Sequence, residues 1–208
     1  MTNRKAHILD VAESLFAKYG FAGTTTRLIS ETAEANIAMI SYYFGGKEKL
    51  LKAILDRYAE DIYLLVKRIQ DNESDPSDRI KGWVSSYLEY VFEHPNPVII
   101  AHRQLNLIID KPEVFSPTRD AFDKVFEQVY LTLEEGKKTG VFGKIDTELT
   151  IITLKATIED LVLESNLIKQ DFKIKAEDQG KLYPDEFKNR VEKHLLSLLD
   201  AHVFSKPK

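Results

Sequence analysis

The sequence predicts an all-α protein of about nine helices, with an N-terminal three-helix head on a larger helical body. Three observations carry this expectation. Apolar residues recur at spacings of three and four along the 208 residues, and strict polar–apolar alternation is nearly absent. The seven prolines and nine glycines fall largely between the periodic stretches.

The first helix is expected from Arg4 to Tyr19, where Ile8, Val11, Ala12, Leu15, Phe16 and Tyr19 share one face. Asn3 or Thr2 is available to cap its start, and Gly20 to stop it in the left-handed conformation. A second helix follows the run Thr24-Thr25-Thr26 and ends near Ala33. Asn36 caps a third, Ile37 to Phe44, which Gly45-Gly46 terminates. The fourth, from Lys47 to about Glu73, carries Leu50, Leu51, Ile54, Leu55, Tyr58, Ile62, Leu65, Val66 and Ile69 as its stripe. Five more are expected, at about 77–93, 97–110, 117–139, 146–170 and 184–203. They are set apart by Asn72 to Pro76, His94-Pro95-Asn96-Pro97, Asp110-Lys111-Pro112, Gly140 to Gly143 and Lys175 to Pro184.

Composition narrows the class. At 43% hydrophobic and 30% charged residues the chain is too apolar for a disordered one. No run approaches the ~20 apolar residues of a membrane span, and the charged N-terminus lacks the apolar core of a secretory leader. The absence of cysteine excludes disulfides, thiol catalysis and thiolate metal sites. A cytoplasmic protein without membrane contact is expected. The net charge of −4 argues against a nonspecific polyanion binder, but it is unevenly spread. Residues 1–52 hold seven basic and five acidic side chains, a net of +2, which leaves −6 for the rest. A mildly basic head permits a local phosphate contact.

The first 50 residues have the dimensions of a helix-turn-helix: two short helices joined by Glu34-Ala35-Asn36. A major groove admits one helix, which reads bases with a few side chains near its start. With Ile40 and Phe44 facing inward, Ala38, Ser41 and Tyr42 point outward, flanked by Ile37 and Met39. Tyr43 offers a hydroxyl to phosphate, Thr25 and Thr26 offer theirs, and Arg27 offers a guanidinium. Lys47 stands at a helix N-terminus that already favours an anion.

These residues carry a resemblance. From Ala17 to Leu51 the chain resembles the head of the TetR family of bacterial transcriptional repressors. The matching segments are Phe16 to Phe21, Thr24 to Ile29, Asn36 to Phe44, and Gly45-Gly46-Lys47-Glu48-Lys49-Leu50-Leu51. The resemblance implies a homodimeric repressor that seats two heads in successive major grooves of a near-palindromic double-stranded operator. An unknown small molecule bound in the body, with no other cofactor, then lowers operator affinity. Carried over by position, phosphate contacts fall on Thr25, Tyr43 and Lys47, with Thr26 near the backbone. Base-proximal contacts fall on Arg27, Ile37, Ala38, Met39, Ser41 and Tyr42. Two positions depart from the usual pattern. Glu34 stands where a glycine is common, at a position that favours φ > 0, and Leu28 stands where an acidic capping partner is common. The expected division is a DNA-binding domain at 1–50 and a ligand-binding and dimerisation domain at 51–208.

The body is rich in aromatic residues. Trp83, Tyr87, Phe126 and Tyr130 are either core or ligand-lining. His102 and Arg103, polar residues in the apolar run Val98 to Ile109, either surface at a helix edge or orient a ligand. Lys155 stands one turn from Glu159, the spacing of a helical ion pair. Leu149, Ile152, Ala156 and Leu163, with Phe187, Val191, Leu195, Leu198 and Leu199, give the last two helices wide apolar faces suited to a two-fold four-helix interface. No catalytic constellation or metal motif is present: there is no Glu-x-x-His, no His-Glu-x-x-His and no glycine-rich phosphate loop. His194 and His202 lack a third ligand, so neither an enzyme nor a metal site is expected. The alternative reading is a helical small-molecule-binding protein whose head no longer binds DNA.

Overall fold

A computed structural model describes residues 4–174 and 182–204, and these form eleven α-helices and one π-helical turn with no strand among the described residues. The helices are α1 (Arg4–Gly23), α2 (Thr26–Thr32), α3 (Ile37–Phe44), α4 (Lys47–Asn72), α5 (Pro76–Glu93), α6 (Pro95–Arg103), α7 (Leu105–Asp110), α8 (Pro112–Lys138), α9 (Thr147–Leu163), α10 (Ser165–Asp171) and α11 (Asp185–Leu198). The all-α expectation holds. The expected caps at Thr2 or Asn3, and most of the expected joint at 175–184, lie outside the described residues.

Two expected helices are each two helices, broken at Gln104 and Glu164. Each breaking residue leaves helical geometry, with φ/ψ of −104°/13° and −101°/20°. Hydrogen bonds nevertheless run up to and away from both: Gln104 N–H donates to Ile100 O, and Ile108 N–H to Gln104 O. Glu164 N–H donates to Asp160 O, and Ile168 N–H to Glu164 O. A bend that keeps its ladder needs no glycine or proline, so punctuation does not announce it. The eighth helix also begins earlier than expected. Pro112 takes the first-turn position, where a missing N–H costs little, and Pro117 lies inside the helix rather than at its start.

The chain packs as two compact units, residues 1–61 with 96–122, and residues 62–95 with 123–208. Residues 96–122, counted with the body in the sequence reading, thus pack with the first three helices. The core of the first unit joins Ile8, Ala12, Phe16, Ile29, Ile40, Leu50, Leu51 and Ile54 to Ile100 and Phe115. Arg57 of α4 fixes α1 by donating to Asp10 and Glu13, both at 2.6 Å. In the second unit α5 buries Ile80, Trp83, Val84, Tyr87, Leu88 and Val91. Leu195 and Leu199 are each 1% exposed there, and Phe187 is also buried, so these three belong to the interior and not to an outer face. Leu163 and Val191 are half-buried, whereas Leu149, Ile152, Ala156 and Leu198 are exposed.

Candidate nucleic-acid interface and a cavity in the second unit

α2 starts where Thr25, in extended geometry, accepts the Leu28 N–H on its Oγ1 at 3.0 Å. Leu28 has no side-chain acceptor to return the bond. The hydroxyl of Thr25, on an exposed residue, keeps its proton available for a further acceptor. After α2 the chain turns through Glu34, whose φ of 48° is left-handed. That is the conformation the sequence position favours, adopted here by a residue with a Cβ. Asn36 then caps α3, its Oδ1 accepting the Ala38 N–H at 2.8 Å. Gly45, at φ 75°, ends the helix.

The phase of α3 follows from its apolar anchors. Ile40 and Phe44 are buried, while Ala38, Ser41 and Tyr42 are exposed, Tyr42 at 83%. Ile37 is half covered, and Met39 and Tyr43 pack partly against the core. Tyr43 meets Tyr42 edge to face, with ring centroids 5.1 Å apart. Of the other candidate residues, Thr26 is half-buried, and Arg27 is exposed with Nε 2.8 Å from Glu31 Oε1. That hydrogen bond raises the already high pKa of the guanidinium, so the cation is retained, although its Nε is turned along its own helix. Lys47 is differently placed. Its ammonium donates to Phe21 O at 2.9 Å and Thr24 O at 3.0 Å, and lies 4.1 Å from the centroid of the Phe21 ring.

In the second unit a cavity of about 10 Å³, enough for one oxygen-sized group, is lined by Val66, Ile69, Gln70, Arg79, Ile80, Trp83, Val129 and Thr132. Arg79 gives its Nη2 to Ser74 O at 3.1 Å and Glu135 Oε2 at 2.8 Å, but its Nε is buried without a partner. The indole Nε1 of Trp83 is also buried and unpaired. These two N–H groups, one turn apart on α5, are the unpaired buried side-chain polar atoms among the described residues. An acceptor is what such a pair lacks.

Three of the six residues singled out in the body stand in one chain of contacts. Trp83 stacks on Tyr87, ring centroids 5.6 Å apart and planes within 5°. The Tyr87 hydroxyl donates to Glu159 Oε1 at 2.6 Å, and Lys155 reaches Glu159 Oε2 at 2.5 Å, the ion pair their spacing predicts. The Lys155 ammonium in turn lies 5.9 Å from the Phe126 ring centroid. Tyr130 is exposed. His102 and Arg103 belong to the other compact unit, where both are exposed and the Arg103 guanidinium donates to Ala17 O. Sequence reasoning missed Arg79 and Thr132. An arginine one turn before the single tryptophan of the chain was the available signal. Among the described residues no group of three or more His, Cys, Asp or Glu is arranged to hold a metal ion, and no helix is long and apolar enough to cross a membrane.

Comparison with known proteins meets this geometry at the head. The family model for "Bacterial regulatory proteins, tetR family" matches residues 8–54. The HTH-type transcriptional repressor NicS of Pseudomonas putida is 33% identical over 94 residues, which are 45% of this chain and 44% of that protein. The probable HTH-type transcriptional regulator YttP of Bacillus subtilis is 26% identical over 168 residues, 80% of each chain. A solved structure of the ketosteroid transcriptional regulator KstR2 of Mycobacterium tuberculosis superposes with a TM-score of 0.78 at 18% identity, covering 99% of this chain and 97% of that one. That last likeness is one of fold.

Proposed function

We propose that this chain, whose residues 8–54 match the model of the tetR family of bacterial regulatory proteins, is a transcriptional repressor. It binds a near-palindromic operator as a homodimer and is released by a small molecule. The outward presentation of Ala38, Ser41 and Tyr42 on α3, anchored from behind by Ile40 and Phe44, carries this reading. A capped eight-residue helix with that face is the size a major groove accepts. Ile37, Ala38, Met39, Ser41 and Tyr42 lie at the base edges, with Arg27 beside them. Thr25 and Tyr43 donate hydroxyls to phosphates, with Thr26 close to the backbone.

Dimerisation is assigned to α9 and α11. Leu149 at 59%, Ile152 at 57% and Leu198 at 42% exposure are large apolar side chains left open on these helices. A two-fold interface would bury such surface. The effector is assigned to the second unit, beside Trp83 and Tyr87, where the unpaired N–H groups of Arg79 and Trp83 support binding of a molecule that carries an acceptor oxygen. By shifting α4, which contributes to both compact units, the effector would change the spacing of the two heads. A mobility-shift assay with the DNA flanking the protein's own gene tests the reading. Retarded complexes that unrelated DNA of equal length does not displace support it, and equal displacement by both DNAs contradicts it.

A further inference from the structure

The end of α1 is not a regular helix terminus. Gly20 leaves helical geometry at φ 74°, ψ 167°, and the chain makes one further turn before α2. A helix end of this kind leaves carbonyls without intrahelical donors. Here carbonyls at and around this end accept hydrogen bonds from side chains of the first unit. Thr24, fully buried, donates its hydroxyl to Leu15 O at 3.2 Å and Gly20 O at 2.8 Å. Arg103 of α6 donates to Ala17 O. Lys47, the first residue of α4, donates to Phe21 O and Thr24 O and packs its charge against the Phe21 ring.

An ammonium has three protons. Two are committed to these carbonyls, and the ring face at 4.1 Å occupies a further side of the charge. Thr24 O is the carbonyl directly before Thr25, the residue that caps α2. The lysine therefore fixes the direction in which α2 leaves the corner, and α2 packs directly on α3. We propose that Lys47 is a positioning residue of the DNA-binding head. It clamps the α1–α2 corner to the start of α4 and so aims α2 and α3 at the duplex, instead of acting as a phosphate ligand. The proposal rests on the repressor reading above, since it concerns how the head is aimed at DNA.

The two roles differ in salt dependence. A lysine that neutralises a phosphate releases a counterion, and its removal lowers the slope of log K against log salt by about one. A lysine that aims the head changes affinity without changing that slope. The experiment compares binding of the full-length protein to its own flanking DNA by anisotropy across a salt series. It uses wild type, Lys47→Met, Lys47→Arg and Phe21→Leu, each at a temperature where circular dichroism shows the variant folded. Phe21→Leu keeps every charge, so it serves where Lys47→Met fails to fold. The expected result is a loss of about tenfold or more for Lys47→Met, with the wild-type slope. Phe21→Leu loses affinity in the same sense, and Lys47→Arg, which keeps the donors, recovers most of it. A slope lower by about one in Lys47→Met, or affinity unchanged in the folded Lys47 and Phe21 variants, overturns the proposal. Should wild type itself show no preference for the flanking DNA, the repressor reading fails instead.

Discussion

Ile40 and Tyr42 stand two residues apart on α3, the first 1% exposed and the second 83% exposed. This contrast sets which face of α3 is open to the proposed DNA contact, and it separates two kinds of variant. Ile40→Ala removes a buried side chain and is expected to cost about 2–5 kcal/mol of stability, read as a lower urea midpoint. Tyr42→Ala is expected to change stability by no more than about 0.5 kcal/mol, leaving that midpoint near the wild-type value, while relaxing base preference. Tyr43→Phe, which removes the hydroxyl proposed to donate to phosphate, should weaken every DNA alike. Binding of a set of operator variants separates the last two, and identical profiles for both would refute the division of roles.

The turn between α2 and α3 carries a cost. Glu34 holds φ at 48°, a conformation that disfavours a residue with a Cβ by about 1–2 kcal/mol. Glycine there escapes that penalty and gives back part of the gain in chain entropy. Glu34→Gly is expected to raise stability by roughly 0.5–1 kcal/mol, and to tighten DNA binding at low salt by removing a negative charge from the head. Thermal melts and anisotropy check both parts, and a lower melting temperature would contradict the strain argument.

The helix-turn-helix was legible residue by residue because its signals are local. Asn36 caps, Gly45 stops, and the Ile40–Phe44 spacing sets the phase, although α2 begins at Thr26, inside the threonine run and not after it. What escaped the sequence depends on distant partners. Lys47 looks like a free lysine at a helix start until Phe21 and Thr24, 26 and 23 residues away, are seen to hold it. Arg103, open in the sequence between a helix-edge and a ligand-orienting role, is exposed, and its guanidinium is bonded to a carbonyl 86 residues away. The bends at Gln104 and Glu164 keep their hydrogen bonds and carry no breaker residue. Arg79 is marked in the sequence only by its place one turn before Trp83, and the burial of its Nε depends on the packing around the cavity that both residues line.

Trp83 offers a direct probe of the second unit. Trp83→Phe deletes an unpaired buried N–H while keeping most of the ring, so the unliganded protein should be no less stable and up to about 1–3 kcal/mol more stable. The same variant should respond less to any effector that releases wild type from DNA. Urea unfolding of the two proteins side by side gives the answer, and a variant clearly less stable than wild type would contradict this expectation.

Tyr183 gives the second unit an alkaline limit. Burial, with a smaller contribution from Asp160, pushes its phenol up to about 12, and its hydroxyl donates to Leu161 O at 2.6 Å. A phenol that ionises less readily in the folded chain than in the unfolded one favours folding below pH 10, and that contribution is lost as pH rises from 10 to about 12. Denaturation midpoints measured from pH 9 to 11.5 should fall more steeply for wild type than for Tyr183→Phe. Parallel curves would contradict this.

Operator affinity should depend steeply on salt even though the whole chain is acidic at −4, because the docking head is the basic part. Between about 50 and 200 mM salt a loss on the order of a thousandfold is expected, as for proteins that make several phosphate contacts. Affinity that does not move over that range would contradict a phosphate-borne interaction.

The most direct measurement is guanine N7 protection by the full-length protein on its flanking DNA, since N7 lies in the major groove. Two protected patches with centres about 10–10.5 base pairs apart, lost together in a chain carrying Ile152→Glu at the exposed face of α9, are the expected result. A single patch, no protection at N7, or a footprint that persists unchanged in a monomeric variant would contradict paired insertion of α3.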